Sequence, residues 1–301
     1  MEDLERVQSR LKHIRTVVPI LSALRTISLG SWRAALRQSA SVRRYGERLT
    51  AILPLLVPHL PAHKRVERAA LRHGQPSDAA LERVVVVVIG SERGLCGQFN
   101  AVAIKRAEQY LAEQETAGTR VELVALGTRA GRILKRRQWP LAWSGSLSVA
   151  TLPSSRMAFE VTSRWLRRYE EHELDAVDLV YNAYHGMGRY APTVVRLIPP
   201  ELLRGGPGSL DEHWPPPIVE TEPVSLYTCV VEQWAVVNLY GRLLESATAE
   251  HSARYQIMEE ATRSAKRLIA DLTLAVQVAR QQQITQEMQE LAAGAGLIGP
   301  Q

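Results

Sequence analysis

Residues Tyr227 to Leu291 are the stretch that most limits what this chain can become. They contain no proline and a single glycine, Gly241, and are rich in Ala, Leu, Glu, Gln and Arg, residues that lose little rotamer freedom in a helix. At a rise of 1.5 Å per residue, one helix over this span is roughly 100 Å long. That exceeds the diameter of a small domain, so something besides the chain's own globular core has to cover much of it. Ala265, Leu268, Leu272, Ala275 and Ala279 step by three and four, a heptad-like seam, while Arg263, Lys266, Arg267, Asp271 and Gln277 lie opposite. Small alanines in the seam permit close approach of a second helix. After Arg280 the pattern changes. Arg280 to Gln283 is polar, and Ile284, Met288 and Leu291 open a new apolar line. On periodicity alone this is a coiled-coil arm.

The partner helix is expected at the other end of the chain. From Glu2 to about Leu53, Leu4, Val7, Leu11, Ile14, Val18, Leu21, Leu24 and Ile27 step by three and four, and Leu36, Val42 and Leu49 continue more loosely. Pro19 lacks the amide a helix interior needs, so a kink or local opening is expected there. Pro54, Pro58 and Pro61 are expected to end the helix. Arg6, Arg10, Lys12, Arg15, Arg25, Arg33, Arg37, Arg43, Arg44 and Arg48 crowd this segment, although the whole chain is only +6. They read either as a solvated face or as a surface for an acidic partner.

A different regime fills the middle. Val84 to Gly90 (VVVVVIG) is a β-branched run without alternation, the mark of a strand covered on both faces in a mostly parallel sheet. Helices are expected at about 101–114, 128–138 and 155–173, and further strands at 121–127, 178–184 and 193–198. Residues 184–189 read as a loop. Alternating strands and helices give a small doubly wound α/β domain. The expected fold class is therefore α/β: a long antiparallel coiled coil of N- and C-terminal helices with a small inserted Rossmann-like α/β domain. The expected division is residues 1–77, 78–200, a linker at 201–223, and 224–301. A short helical piece is expected at 64–72 and a break at 74–77.

Several chemistries find little support. Cys96 and Cys229 form no disulfide framework or metal spacing, and the histidines are scattered. No signal peptide is visible, and no apolar run reaches the roughly 18–20 residues that span a membrane. Gly90, Gly94 and Gly97 follow a strand and precede a helix, but the spacing is GxxxGxxG, not the GxGxxG of dinucleotide sites. The alternative is a tight strand-to-helix turn that needs glycine's freedom. A dinucleotide-binding protein with helical arms and a basic nucleic-acid scaffold both stay open. Against the scaffold, the basic helix has few interleaved aromatics, Trp32 and Tyr45.

Specific motifs go further. Thr248 to Ala295 resembles the C-terminal signature of the gamma subunit of F-type ATP synthases: an Ala-Ser-Glu-x-x-Ala-Arg-x-x-Ala-Met block, a Leu-x-Leu run, then Ala-Arg-Gln-x-x-Ile-Thr-x-Glu-Leu. Ser91 to Asn100 (SERGLCGQFN) resembles the family's Ser-Asp-Arg-Gly-Leu-Cys-Gly-x-x-Asn, with Glu92 for Asp. DLVYNAYHGMGRYAPTVVRLIPP, from Asp178, resembles its Val-Tyr-Asn-x-Phe and final-strand region. The N-terminal motif is weaker. Ile20, Ala23, Leu24 and Ile27 keep the register, but Val17 and Leu21 replace threonines, Leu24 a methionine and Ser31 a lysine, and Pro19 falls inside the motif.

The resemblance implies a central rotor stalk, one copy per complex, that carries torque between an ion-driven membrane ring of c-type subunits and a hexamer of catalytic alpha and beta subunits. Its α/β domain would stand near the epsilon subunit and the ring, peripheral to the cytoplasmic face of the cell membrane. It implies no catalytic residue, no cofactor, no metal and no nucleic acid. By motif, Leu24, Arg254, Arg280, Gln281 and Thr285 match partner-contact positions. Gly90, Arg93, Gly94, Cys96 and Gly97 match a structural loop that is not a nucleotide site. The coupled ion, H+ or Na+, stays open, as does a paralogue that works as a hydrolase.

Overall fold

A computed structural model describes residues 2–61, 81–148, 152–199 and 218–294. The helical piece and break expected at 64–77, and most of the expected linker, lie outside the described residues. In chain order the elements are α1 (Glu2–Leu56), a 3-10 turn (Val57–His59), β1 (Arg83–Ile89), α2 (Phe99–Thr116), β2 (Arg120–Leu126), α3 (Thr128–Arg136), β3 (Leu141–Gly145), α4 (Ser155–Glu170), β4 (Ala176–Gly186), β5 (Arg189–Ile198) and α5 (Pro223–Gly294). The long terminal helices α1 and α5 pack together, and the α/β elements lie between them in sequence. The chain forms two compact units: Met1–Ser28 with Tyr255–Gln301, and Leu29–Arg254.

In the first unit, Leu11 packs with Leu272 and Val276, flanked by Leu4, Val7, Ile14, Leu268 and Ile269. Arg25 pairs with Glu259 at 2.7 Å. Moving back along α1 thus moves forward along α5, an antiparallel pair. The expected seam is corrected in two places. Val276 is buried and Ala275 exposed, because the larger apolar side chain gains more from burial. On α1, Ser28 is 2% exposed while Ile27 lies outside. The Ser28 hydroxyl donates to the Leu24 carbonyl at 2.7 Å, so a small polar residue sits in the seam with its hydrogen bond made. The helix does not open at Pro19, and it runs on past Pro54 to Leu56. Both prolines are exposed, so the carbonyls they leave without an amide partner fall where solvent can reach.

The second unit holds a five-stranded sheet in the order β3-β2-β1-β4-β5. The first four strands run parallel, and β5 returns antiparallel to β4. Central β1 is buried on both faces, as its unbroken valines require. Val84, Val86 and Val88 meet Ile104, Ala107 and Leu111 of α2 and Leu134 of α3. Val85, Val87 and Ile89 belong to a second core with Trp165 and Leu166 of α4, Leu49 and Leu53 of α1, and Leu239, Leu243 and Leu244 of α5. β3 was not anticipated: it is a short edge strand with an exposed middle. Residues 184–189 form the tip of the β4–β5 hairpin, where Gly186 and Gly188 take positive φ, and not the loop expected. Here too α1 and α5 run antiparallel. Gln38 donates to Tyr240 (2.7 Å) and the Trp234 indole to Thr50 (3.2 Å).

Candidate functional site

The loop between β1 and α2 is fastened from both sides. At its start, Gly90 has no room for a side chain: a Cβ would stand 2.3 Å from that of Ala130 and 2.7 Å from the Asn100 carboxamide oxygen. Asn100, on the first turn of α2, accepts from the Ser91 amide (2.8 Å) and donates to the Ser91 hydroxyl (2.7 Å). That hydroxyl donates to the Arg93 carbonyl at 2.7 Å. Leu95 and Gly97 take left-handed backbone, φ 62° and 58°. Leu95 pays the strain that only glycine escapes, and its side chain is 61% exposed. Gly94 meets nothing within 4 Å of a built Cβ, so neither space nor φ demands glycine there.

Glu92 reaches across the sheet's top. It accepts from the amide and hydroxyl of Thr128, the first residue of α3, and from the Leu147 amide at 2.8 Å. Gly127 before that helix has no side chain to cap it, so the cap comes from a distant residue. Burial raises the Glu92 carboxyl, but these hydrogen bonds and nearby Arg132 outweigh it and hold the group below its ordinary range.

Arg254 of α5 holds the loop from the other side. Its guanidinium donates to the carbonyls of Gly94 (3.2 Å) and Arg93 (3.4 Å), to Glu250 one turn earlier (2.5 Å), and to Nδ1 of His251 (3.1 Å). Burial pushes the Glu250 carboxyl up against the pull of Arg254. His251 is pushed down to about 4, by burial first and by Arg254 second, so its neutral ring accepts. Ala249 packs on Cys96 and Phe99. Burial, ahead of the Ser91 hydrogen bond, raises the Cys96 thiol and keeps it protonated. The cavity between this loop and α5 has a volume of about 30 Å³, water-sized. Its lining mixes Glu92 and Glu250 with Arg93, His251 and Arg254, but a space of that size holds no dinucleotide. This argues against the dinucleotide reading. Among the described residues no group of three or more His, Cys, Asp or Glu could hold a metal.

The five loop residues expected from the motif are thus brought together with Arg254. The sequence reading gave Arg254 to a partner, but the structure buries it and commits its guanidinium within the chain. Glu250, Asn100, Ser91, Glu92 and His251 were not singled out. Ser91, Glu92 and Asn100 stood only as positions of the motif, and the four-residue spacing of Glu250 and Arg254 was a further signal.

Arg280, Gln281 and Thr285 stand in the first unit, exposed on the last turns of α5, with the Thr285 hydroxyl donating to the Gln281 carbonyl. Leu24 is not brought to them. It is half-buried, beside Arg25, whose partner Glu259 lies roughly 30 Å along the helix from Arg280. The antiparallel register places Glu2, where α1 begins, opposite about residue 281 at equal rise in both helices. Among the described residues, no part of α1 lies alongside α5 from there to Gly294. Ile284, Met288 and Leu291 are 58, 66 and 73% exposed, one apolar line on a bare helix end. Among the described residues no helix is long and apolar enough to cross a membrane.

A sequence profile of the family described as ATP synthase matches residues 3–296. The chain is 31% identical over 297 residues to the ATP synthase gamma chain of Rubrobacter xylanophilus, covering 98% of each. It is 29% identical over 299 residues to that of Pelotomaculum thermopropionicum, covering 99% of this chain and all of the other. Among solved structures it is similar to a chain of the Euglena gracilis mitochondrial ATP synthase in rotational state 3, OSCP/F1/c-ring (TM-score 0.63, 16% identity, 98% and 94% coverage). It is also similar to one in the Tetrahymena thermophila mitochondrial ATP synthase central stalk and c-ring (TM-score 0.58, 18% identity, 80% and 99% coverage). At those identities the likeness is one of fold.

Proposed function

Because this chain belongs to the gamma-chain family of ATP synthases, we propose that it is the turning shaft of a rotary ATP synthase, peripheral to a membrane and carrying torque between a ring of c-type subunits and a hexamer of alpha and beta subunits. The likeness to gamma chains over almost its whole length carries this reading. The helix end supports it. A shaft needs a stiff segment that a neighbour can surround, and the last turns of α5 have a continuous helix, no cover from α1 and an apolar line ready for a sleeve. Arg280, Gln281 and Thr285 on those turns supply the polar grip, donors and acceptors exposed for loops of the beta subunits. The α/β sheet is the part that stands toward the epsilon subunit and the ring. The chain supplies no catalytic residue, and it works by changing the shape of sites that others hold.

The test is assembly. Co-expressed with the alpha and beta subunits of its own complex, the chain is expected to purify with them at one copy per three pairs and to raise ATP hydrolysis above that of the hexamer alone. A chain that stays apart from them under these conditions would end the reading.

A further inference from the structure

In the second unit, α5 and the sheet share an apolar core, with Leu239, Leu243 and Leu244 against Val87, Leu179 and Trp165. Apolar burial resists separation, but it is non-directional, so it opposes sliding weakly. Sliding is what a torque imposes. Among the described residues, the directional contacts across this seam include the Arg242 guanidinium over the Tyr181 ring (5.7 Å) and two sets of hydrogen bonds. Glu245 accepts from the Tyr181 hydroxyl (3.1 Å) and weakly from the Tyr184 amide (3.4 Å), and its side chain is 26% exposed. Farther along, the Arg254 and Glu250 side chains are 9 and 10% exposed, and Arg254 holds two loop carbonyls.

We propose that Glu250 and Arg254 are the positioning pair through which turning force passes between α5 and the α/β sheet. The proposal rests on the shaft reading above and adds the residues that make the joint stiff. The loop they grip is the hub of the sheet's upper edge. Its Ser91 is stapled to α2 through Asn100, and its Glu92 to α3 and to the segment after β3. A pull on the Arg93 and Gly94 carbonyls is therefore passed to β1, α2, α3 and β3 together. Glu250 holds the guanidinium in plane, so that Nε and Nη2 both point at the loop. Ala249 packs on Cys96 and Phe99, so helix and loop also meet through a short side chain.

The experiment uses the assembled complex in sealed vesicles and reads the membrane potential built per ATP hydrolysed, which does not depend on which ion moves. The unaltered chain is measured first, since its failure to assemble would count against the shaft reading and not against this joint. Arg254→Met leaves Glu250 buried alone, so both the melting temperature and the ratio are expected to fall. The double variant Glu250→Leu with Arg254→Met leaves no charge buried alone, and the Arg93 and Gly94 carbonyls it frees lie where solvent reaches, so most of the stability is expected to return, but not direction. The expected result is a recovered melting temperature with the ratio still several-fold down. A ratio that recovers together with stability would reduce the pair to a packing element and overturn the proposal. Arg254→Lys keeps the charge but loses the planar fork. It is expected to give an intermediate ratio, and a value equal to that of the unaltered chain would also overturn the proposal.

Discussion

The side chains around Ser91 to Asn100 show how one motif divides its duties. Gly90 is needed for space, Gly97 for backbone freedom, and Gly94 for neither. Gly90→Ala is therefore expected to cost about 3 kcal/mol or more, by forcing α3 away from the loop. Gly94→Ala should stay within about 0.5 kcal/mol, since nothing crowds it. Denaturant midpoints of the two variants check this, and equal costs would show that the loop tolerates or rejects side chains for some other reason. Glu92 gives a pH test. Its folded carboxyl lies below the ordinary value of 4.5. Its contribution is thus present above the unfolded value and is lost as pH falls through the folded one. Stability of the unaltered chain should decline as pH drops below about 4.5, and Glu92→Gln should flatten that limb while weakening the fold at neutral pH by roughly 1–2 kcal/mol. Unfolding curves from pH 7 to pH 3 would show an unchanged slope if the cap is unimportant.

At the scale of elements, what the sequence made legible follows from how strong each local signal is. β1 announces itself because five consecutive valines suit only a strand buried on both sides. The helix α5 is equally plain, with no breaker from Tyr227 to Leu291 other than Gly241. β3 was missed because Leu141–Gly145 lacks an apolar run, and an edge strand needs none: its register comes from β2. The seam was misread at Ala275 and Ile27 because a strict three-four count drifts against 3.6 residues per turn. The loop was recognisable as a motif, but its grip by α5 was not, since a Glu and an Arg four residues apart on a helix are by default a solvated pair. A kink or local opening was expected at Pro19, and α1 runs on through it as one helix. Pro19→Ala returns one amide to the ladder and is expected to raise stability by about 1–3 kcal/mol. A thermal melt that does not rise would mean the proline's neighbours already recover that loss.

The described residues hold no metal cluster, and the cavity at the glycine-rich loop is water-sized. The exposed polar residues of greatest interest are on the last turns of α5. Arg280→Ala with Gln281→Ala removes two solvated side chains from a helix surface, so the isolated chain should melt within a few degrees of the unaltered one. ATP synthesis by the assembled complex is expected to fall several-fold, or assembly to weaken. Synthesis and assembly both unchanged would remove these two residues from the contact. The uncovered line of Ile284, Met288 and Leu291 has a consequence for the cell. A copy made without companions would leave that greasy line open, so a surplus of this subunit is expected to aggregate more readily than one assembled in a complex.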